Sequence, residues 1–266
     1  ALLTGRHPVR FGLGYTVVRP WSTYGLPPSE TTIAAMLRAA GYRTAAIGKW
    51  HLGHANVLHL PDSRGFDHFY GQLNGAIDYC KHERDGGIDW QRNGRTVHEP
   101  GYTTELLAAE AKRWIAAQDH QRPYFLYLPF NAPHTPLQAP EAYLDKYKSI
   151  ADPRRRTYAA MVECLDTAVG DVAKAAPDRG PTLIIFVSDN GGPRGAGADN
   201  GELRAGKSTV FEGGIRVPAF VHFSNTLKPA EFGELSSITD LLPTIDAGPG
   251  PTWWRGEKTD APRARS

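Results

Sequence analysis

The sequence predicts an α/β domain built in layers. Segments with helical periodicity alternate with short apolar segments of strand character. The strand-like segments run into polar and ionisable residues, as strands do where a sheet edge carries a site. The length of 266 residues is also sufficient for one large core.

Taken in order, "SETTIAAMLRAAGY" predicts a helix with Ile33, Met36, Leu37 and Ala40 on one face. Ser29 is its expected cap and Gly41 its terminator. "TAAIGKW" reads as a short buried strand. From "LHLPDSRGFDHFYG" to "NGRTVHEPGY" no periodicity is legible, and a long loop region serving a site is expected. "TTELLAAEAKRWIAAQ" returns to helix with Leu107, Ala111, Trp114 and Ile115 as its apolar stripe, and "PYFLYLPF" is a strand. "RRTYAAMVECLDTAVGDVAKAA" is the clearest helix, with Tyr158, Met161, Val162, Leu165, Val169 and Val172 on a shared face. "TLIIFVSDNGG" is a buried strand entering a turn, "RVPAFVHF" a last strand and "SSITDLLPTI" a last short helix. No internal repeat is present. Residues 1–246 form one domain in this reading, and the Pro/Gly-rich, then charged tail 247–266 is expected to be irregular.

Composition narrows the function classes. With 30 basic against 28 acidic residues and a net charge of +2, nothing points to nucleic acid or a membrane surface as partner. No apolar run approaches the ~18 residues of a membrane span. The two cysteines, Cys80 and Cys164, exclude a disulfide-dense scaffold and have no CxxC metal spacing; they fit either a pair or two free thiols.

Three strand-like segments end in candidate site residues: "GKWHLG", "PFNAPHTP" and "FVSDNGG". Loops beyond strand carboxyl ends converge on one sheet edge. Lys49, His51, His134, Asp189 and Asn190 are therefore expected neighbours despite their separation in sequence. Asp-Asn-Gly-Gly after a strand is an ordinary Asx turn or, alternatively, a carboxylate plus amide oxygen pair suited to Ca²⁺ or Mg²⁺. Lys49 is either solvated or held at the sheet edge by a buried Trp50. His51 and His134 read equally as satisfied structural histidines; His134 sits in the Pro-restricted "APHTP" segment. Lys207, ahead of a Glu-Gly-Gly turn, pairs with Lys49 as two point charges for a sulfate or phosphate. His54, His59 and His68 read as structural or exposed. The residues alone thus suggest a metal-assisted anion-ester site.

Together these stretches resemble the sulfatase family. "ALLTGR" is similar to the trailing half of its signature, Cys (or Ser)-x-Pro-x-Arg before Ala-Leu-Leu-Thr-Gly-Arg. "GKWHLG", "APHTPLQ", "SDNGG" and "GKSTVFEGGIRVP" follow in the family's order, and the resemblance runs from Ala1 to about Ile245. Within the family, "SRGFDHFYG", "DYCKHERDGG", "PLQAPEAYLDKY" and "TYAAMVECLDTAVG" look closest to the arylsulfatase B, or N-acetylgalactosamine-4-sulfatase, group.

The resemblance implies an alkaline-phosphatase-like α/β/α sandwich around a mostly parallel mixed sheet. It implies hydrolysis of sulfate esters, of sulfated carbohydrates or aryl sulfates, by a formylglycine nucleophile assisted by Ca²⁺ in preference to Mg²⁺. Asp189 and Asn190 would be metal ligands, Lys49 and Lys207 would hold sulfate oxygens, His51 would take a proton and His134 would assist the leaving alcohol. A formylglycine-generating enzyme would process the complete form. Members are usually secreted, periplasmic or lysosomal. The resemblance further implies that the formylglycine position lies upstream of Ala1, together with the first strand and its paired aspartates. The small C-terminal subdomain would be replaced by the tail. Such a chain would leave the sheet with a gap or an uncovered edge and would not turn over a sulfate ester. Two other readings share the motifs: a non-catalytic sulfatase remnant that binds without hydrolysing, and a phosphate or phosphonate ester hydrolase on the same fold.

Overall fold

The computed structural model describes residues 1–14, 16–119, 121–176, 182–223 and 227–246; the tail 247–266 lies outside the described residues. The first helix, α1 (Ile33–Ala39), feeds β1 (Arg43–Lys49) through a left-handed Gly41. Its cap is Thr32, whose hydroxyl accepts from the Ala35 N–H at 3.1 Å, and not Ser29. The Thr32 hydroxyl also donates to the Arg64 carbonyl at 2.7 Å, and this tertiary bond favours it as cap.

The stretch expected to be a loop contains sheet. β2 (His68–Gln72) pairs parallel to β1, with Ala45 opposite His68 and Lys49 opposite Gln72. Beyond it lie a small hairpin of β3 (Glu83–Arg84) and β4 (Gly87–Ile88) and the antiparallel pair β5 (Gln91–Arg92) and β6 (Arg95–Thr96). β7 (Tyr124–Tyr127) flanks β1 on its other side, also parallel, so the main sheet runs β6-β5-β2-β1-β7.

β1 explains the layers. Alternate side chains point to opposite faces. Ala45 and Ile47, fully buried, meet α2 (Thr103–Ala116) through Leu107, Ala111 and Ile115, backed by Ala168 and Val172 of α4 (Pro153–Ala175). Ala46 faces the other way, into a cluster with Ile33 and Ala34 of α1, Trp50, Phe66 and Phe69. Helices thus cover both faces of a mostly parallel mixed sheet, the layered α/β fold the sequence predicts. The stripe of α4 differs in detail: its buried residues are small (Ala160, Cys164 and Ala168, besides Met161 and Val172), while Val162 is exposed. Cys164 and the exposed Cys80 are free thiols.

The remaining strands do not join this sheet. β8 (Leu183–Val187) pairs only with β9 (Ala219–Phe223), antiparallel, among the described residues. Between β7 and β8 lies a cavity of about 850 Å³, walled by both strands, by Leu165 and Val169 of α4, and by Leu241, Leu242 and Ile245 of the last helix. β8 is accordingly half-buried along its length, not buried as its composition predicts. That last helix, α6 (Leu241–Asp246), follows α3 (Glu141–Leu144) and α5 (Glu212–Ile215) in chain order. It is entered through a single 3₁₀ turn with a Ser237–Asp240 capping box. No helix of the described residues is long and apolar enough to cross a membrane.

Candidate active site

The carboxyl ends of β1, β7 and β8 open onto one end of the cavity. Lys49 closes β1, and its N–H donates to the Pro129 carbonyl at 2.8 Å. That approach depends on Gly48, at φ 135°, where a Cβ would stand 2.2 Å from the Pro129 oxygen. Trp50, buried, donates from its indole N–H to the His59 carbonyl at 2.9 Å and locks the turn after the strand. The chain then enters a left-handed conformation at His51, φ 54°. This directs the imidazole towards the Val18 carbonyl, 2.8 Å from Nε2. A carbonyl only accepts, so Nε2 carries the hydrogen and Nδ1 holds the basic lone pair. Burial, then the Lys49 ammonium, push the His51 pKa down to about 4, with His134 and His54 adding to the shift and the Val18 hydrogen bond opposing it. His51 is neutral at pH 7.

His134 lies on the segment after β7, between peptide bonds to Pro133 and Pro136 that are both cis. Its main-chain N–H donates to the Asn131 carbonyl at 2.9 Å, and its own carbonyl accepts from the Tyr79 hydroxyl at 2.8 Å. Nδ1 is 2.8 Å from the Thr135 carbonyl and therefore protonated, leaving Nε2 as the acceptor. Burial lowers its pKa; Thr135 and Asp189 oppose the shift, while Lys49 and Lys207 reinforce it.

Asp189 and Asn190 follow β8. The Asn190 amide donates to the Gly191 carbonyl at 3.0 Å, and the Ser188 hydroxyl donates to the Asn190 carbonyl at 3.0 Å. The loop carrying Lys207 is tied to this turn by Asn200, whose side chain bonds both the N–H and the carbonyl of Gly192 and also the Ala205 carbonyl. Lys49, His134, Asp189, Asn190 and Lys207 all line the cavity; His51 is not among its lining residues. The charges sense one another. Burial lowers the Lys49 pKa, Asp189 offsets this, and Lys207 adds to the lowering. Two ammonium groups, one at the end of β1 and one on the loop after β8, line a common space in partly buried surroundings. Two cations so placed have the charge to hold an anion.

Sequence reasoning did not find several supporting residues. Gln72 and Asn131, both buried, meet at 3.3 Å beside the Lys49 register position, with the Gln72 Oε1 left without a partner. His54, read as structural, bonds the Pro20 carbonyl through Nε2 at 2.8 Å and contributes to the field at His51. The Val18 carbonyl and Asn200 complete the set. None carries a spacing signal, because each acts through contacts to residues distant in sequence or to the main chain.

Asp189 and Asn190 offer two hard oxygens, whereas Ca²⁺ takes about six to eight. Among the described residues, no three His, Cys, Asp or Glu side chains gather as a metal ion would require. Residues 1–246 as described thus fit part of a Ca²⁺ site and not a complete one.

The sulfatase family profile matches residues 1–246. The chain belongs to the sulfatase family. It is 39% identical over 256 residues to arylsulfatase J of Mus musculus, a match covering 91% of this chain and 43% of that protein. To human arylsulfatase A it is 34% identical, covering 93% and 53%, and to human N-acetylgalactosamine-6-sulfatase 31%, covering 92% and 51%. The chain spans about half the length of these sulfatases. Among solved structures, Ps i-CgsB in complex with k-i-k-neocarrahexaose superposes with a TM-score of 0.85 at 37% identity, covering 93% of this chain and 59% of that one. A complex of BT4656 with D-glucosamine-2-N,6-O-disulfate has a TM-score of 0.71 at 16% identity, covering 98% and 66%, and shares the fold.

Proposed function

We propose that this chain carries the sulfate-holding and proton-transfer groups of a sulfuric ester hydrolase acting on sulfated sugars or aryl sulfates. The observation that carries the reading is the facing of Lys49 and Lys207 across the β7–β8 cavity, with Asp189 and His134 at the same mouth. The two ammonium groups bind sulfate oxygens. Their partly buried setting strengthens that attraction, and removing either leaves the anion half-neutralised. His51, neutral and with Nδ1 basic, is poised to accept a proton. His134 meets the leaving oxygen through Nε2. A bound sulfate adds negative charge beside it, which favours the imidazolium that can donate from that atom.

The finer parts of the reading are these. Asp189 and Asn190 contribute two oxygen ligands to a Ca²⁺ ion. The nucleophile is the formylglycine of the complete family signature, made by a formylglycine-generating enzyme. The motifs favour a substrate of the N-acetylgalactosamine-4-sulfatase type.

The test is direct. Inorganic sulfate is titrated into the chain by calorimetry, alongside Lys49→Ala and Lys207→Ala. Each substitution is expected to weaken binding by about tenfold or more, the equivalent of one charge-assisted hydrogen bond. Unchanged affinity in both variants would overturn the reading. A parallel Ca²⁺ titration with Asp189→Ala tests the metal assignment, with loss of any measurable Ca²⁺ heat expected.

A further inference from the structure

Tyr79 is fully buried in a cluster with Tyr102, Ala132, Met161 and Cys164, and Ala132 belongs to the segment that carries His134. Its ring stacks on Tyr102, with centroids 5.2 Å apart and planes 18° from parallel. Its hydroxyl donates to the His134 carbonyl at 2.8 Å. Burial, reinforced by Tyr102, pushes the phenol pKa well above its ordinary value, so the hydroxyl keeps the proton this bond needs. The main chain of Tyr79 is held as firmly. Its N–H donates to the Gln138 Oε1 at 2.8 Å, and the Gln138 Nε2 donates to the Asp78 carboxylate at 2.8 Å. That carboxylate also accepts the Cys80 and Lys81 N–H groups, at 2.9 and 2.7 Å. The Tyr102 hydroxyl donates to the Gln138 carbonyl at 2.7 Å. Residues 78–81 and 134–138 are thus latched together at both His134 and Gln138.

A phenylalanine would fill the same space. What the hydroxyl adds is one bond, and its acceptor decides its use. The His134 carbonyl lies in the peptide plane that joins His134 to Thr135, and the Thr135 carbonyl is the group 2.8 Å from Nδ1. On the other side, the His134 N–H is fixed to the Asn131 carbonyl at 2.9 Å. The Asn131 Oδ1 in turn accepts from Gln72, which stands opposite Lys49 in the sheet. Lys49, Asn131 and His134 all line the cavity. Anchoring the peptide after His134 therefore sets where the ring lies and which nitrogen is left without the Thr135 carbonyl. Resting on the sulfatase reading, we propose that Tyr79 is a positioning residue for His134. Braced by Gln138 and Asp78, its hydroxyl fixes the His134 main chain so that Nε2 is kept as the atom that meets the leaving oxygen. Misplacing a proton donor by about 1 Å can cost on the order of a hundredfold in rate.

The experiment is nitrogen-15 spectroscopy of the histidines in the full chain, with and without inorganic sulfate, for the native chain, Tyr79→Phe and Tyr102→Phe. The native chain is expected to show one Nδ1–H tautomer at His134 and a shift of its Nε2 resonance on adding sulfate. Tyr79→Phe is expected to show a mixture of tautomers and to lose about half or more of the sulfate-induced shift. Its sulfate affinity, set by Lys49 and Lys207, is expected to change by less than about twofold. Tyr102→Phe is the control. It removes a bond from the same cluster, at Gln138, and is expected to disturb the His134 resonances far less. Both substitutions keep the ring and its packing, so neither threatens the fold. A single tautomer and a full sulfate shift in Tyr79→Phe would overturn the proposal. So would an equal disturbance of His134 in Tyr102→Phe, because the effect would then be a general loosening of the cluster. The sulfatase reading fails separately: if Tyr79→Phe mixes the tautomers but sulfate moves no His134 resonance in the native chain, Tyr79 positions the ring and the sulfate reading falls.

Discussion

The five-stranded sheet and the β8–β9 pair meet different fates. β1 is covered on both faces and paired on both edges, and its Ala45, Ala46 and Ile47 are at most 2% exposed. β8 has a comparable apolar composition but, among the described residues, is paired on one edge only, and its partner β9 leaves Phe220 and Val221 about half exposed, at 47% and 52%. Burial follows neighbours, not composition. A strand of Leu, Ile and Phe becomes core only when something closes its second edge and both of its faces. The site straddles the division, taking Lys49 and His51 from the closed sheet and Asp189, Asn190 and Lys207 from the open one. Its stability is therefore set by the closed half and its completeness by the open half.

The largest expected effect tests that asymmetry. Trp90 is fully buried in the closed half, edge-on to Tyr70 at 5.0 Å and stacked on His82 at 4.9 Å, with its N–H donating to Glu99 at 2.9 Å. Trp90→Ala is expected to cost about 3–5 kcal/mol, as a large cavity with orphaned polar neighbours does. Phe186 of β8 stacks on Phe220 at 5.1 Å but also borders the open cavity. Phe186→Ala is expected to cost under about 2 kcal/mol, because its surroundings are already unfilled. Urea denaturation of the two variants makes the comparison. Equal losses would break the distinction between closed and open halves.

Much of the fold was legible from periodicity. α1, α2 and α4 showed a helical stripe, and β1, β7 and β8 were apolar runs of strand length. β2 escaped because its five residues, "HFYGQ", include His, Gly and Gln. Phe69 to Gln72 are buried between a parallel neighbour, β1, and an antiparallel one, β5, which no alternation within the segment reveals. Val162 was misplaced because α4 packs through Ala160, Cys164 and Ala168, where close approach of a helix matters more than side-chain size. Five of the six candidate site residues line one cavity because parallel strands deliver their carboxyl ends to the same edge. His51 is set apart by its left-handed backbone, a conformation the sequence does not announce. Asn200 and the Val18 carbonyl were invisible for a related reason: a main-chain acceptor has no residue type, and an Asn in a Gly-rich loop looks like any turn.

A smaller effect sharpens the comparison through pH. The His51 pKa falls to about 4 on folding, while an unfolded histidine titrates near 6.5. Between those values the unfolded chain binds a proton that the native chain refuses, so stability must rise with pH across that window. It is fully present above about 6.5 and lost as pH falls towards 4. Burial shifts His134 and His68 in the same direction. The His51 share is expected to be on the order of 1 kcal/mol after allowance for solvent screening. His51→Gln should reduce the difference in urea midpoint between pH 7 and pH 4.5. An unchanged pH dependence would mean that the imidazole is solvated and that the Val18 contact does not persist in solution.

The smallest effect on stability carries the most information about the site. Gly75 lies against the His51 ring, and a Cβ there would stand 2.3 Å from Cε1 and 2.5 Å from Nε2. The ring is thus held between Gly75 and the Val18 carbonyl, which is what assigns the basic lone pair to Nδ1. Gly75→Ala must push the ring aside. The ring is the movable end of a side chain, so the cost in overall stability is expected to be about 1 kcal/mol or less. The ring's state should change far more. Nitrogen-15 shifts of His51 should show a single Nε2–H tautomer in the native chain. In Gly75→Ala they should show a mixture of tautomers and a pKa moved up towards the ordinary histidine value, because the displaced ring loses both its burial and its fixed partner. A variant that keeps the single tautomer and the depressed pKa would show that Lys49 and the surrounding turn hold His51 without Gly75, placing the control of this proton acceptor wholly in β1 and the closed half of the fold.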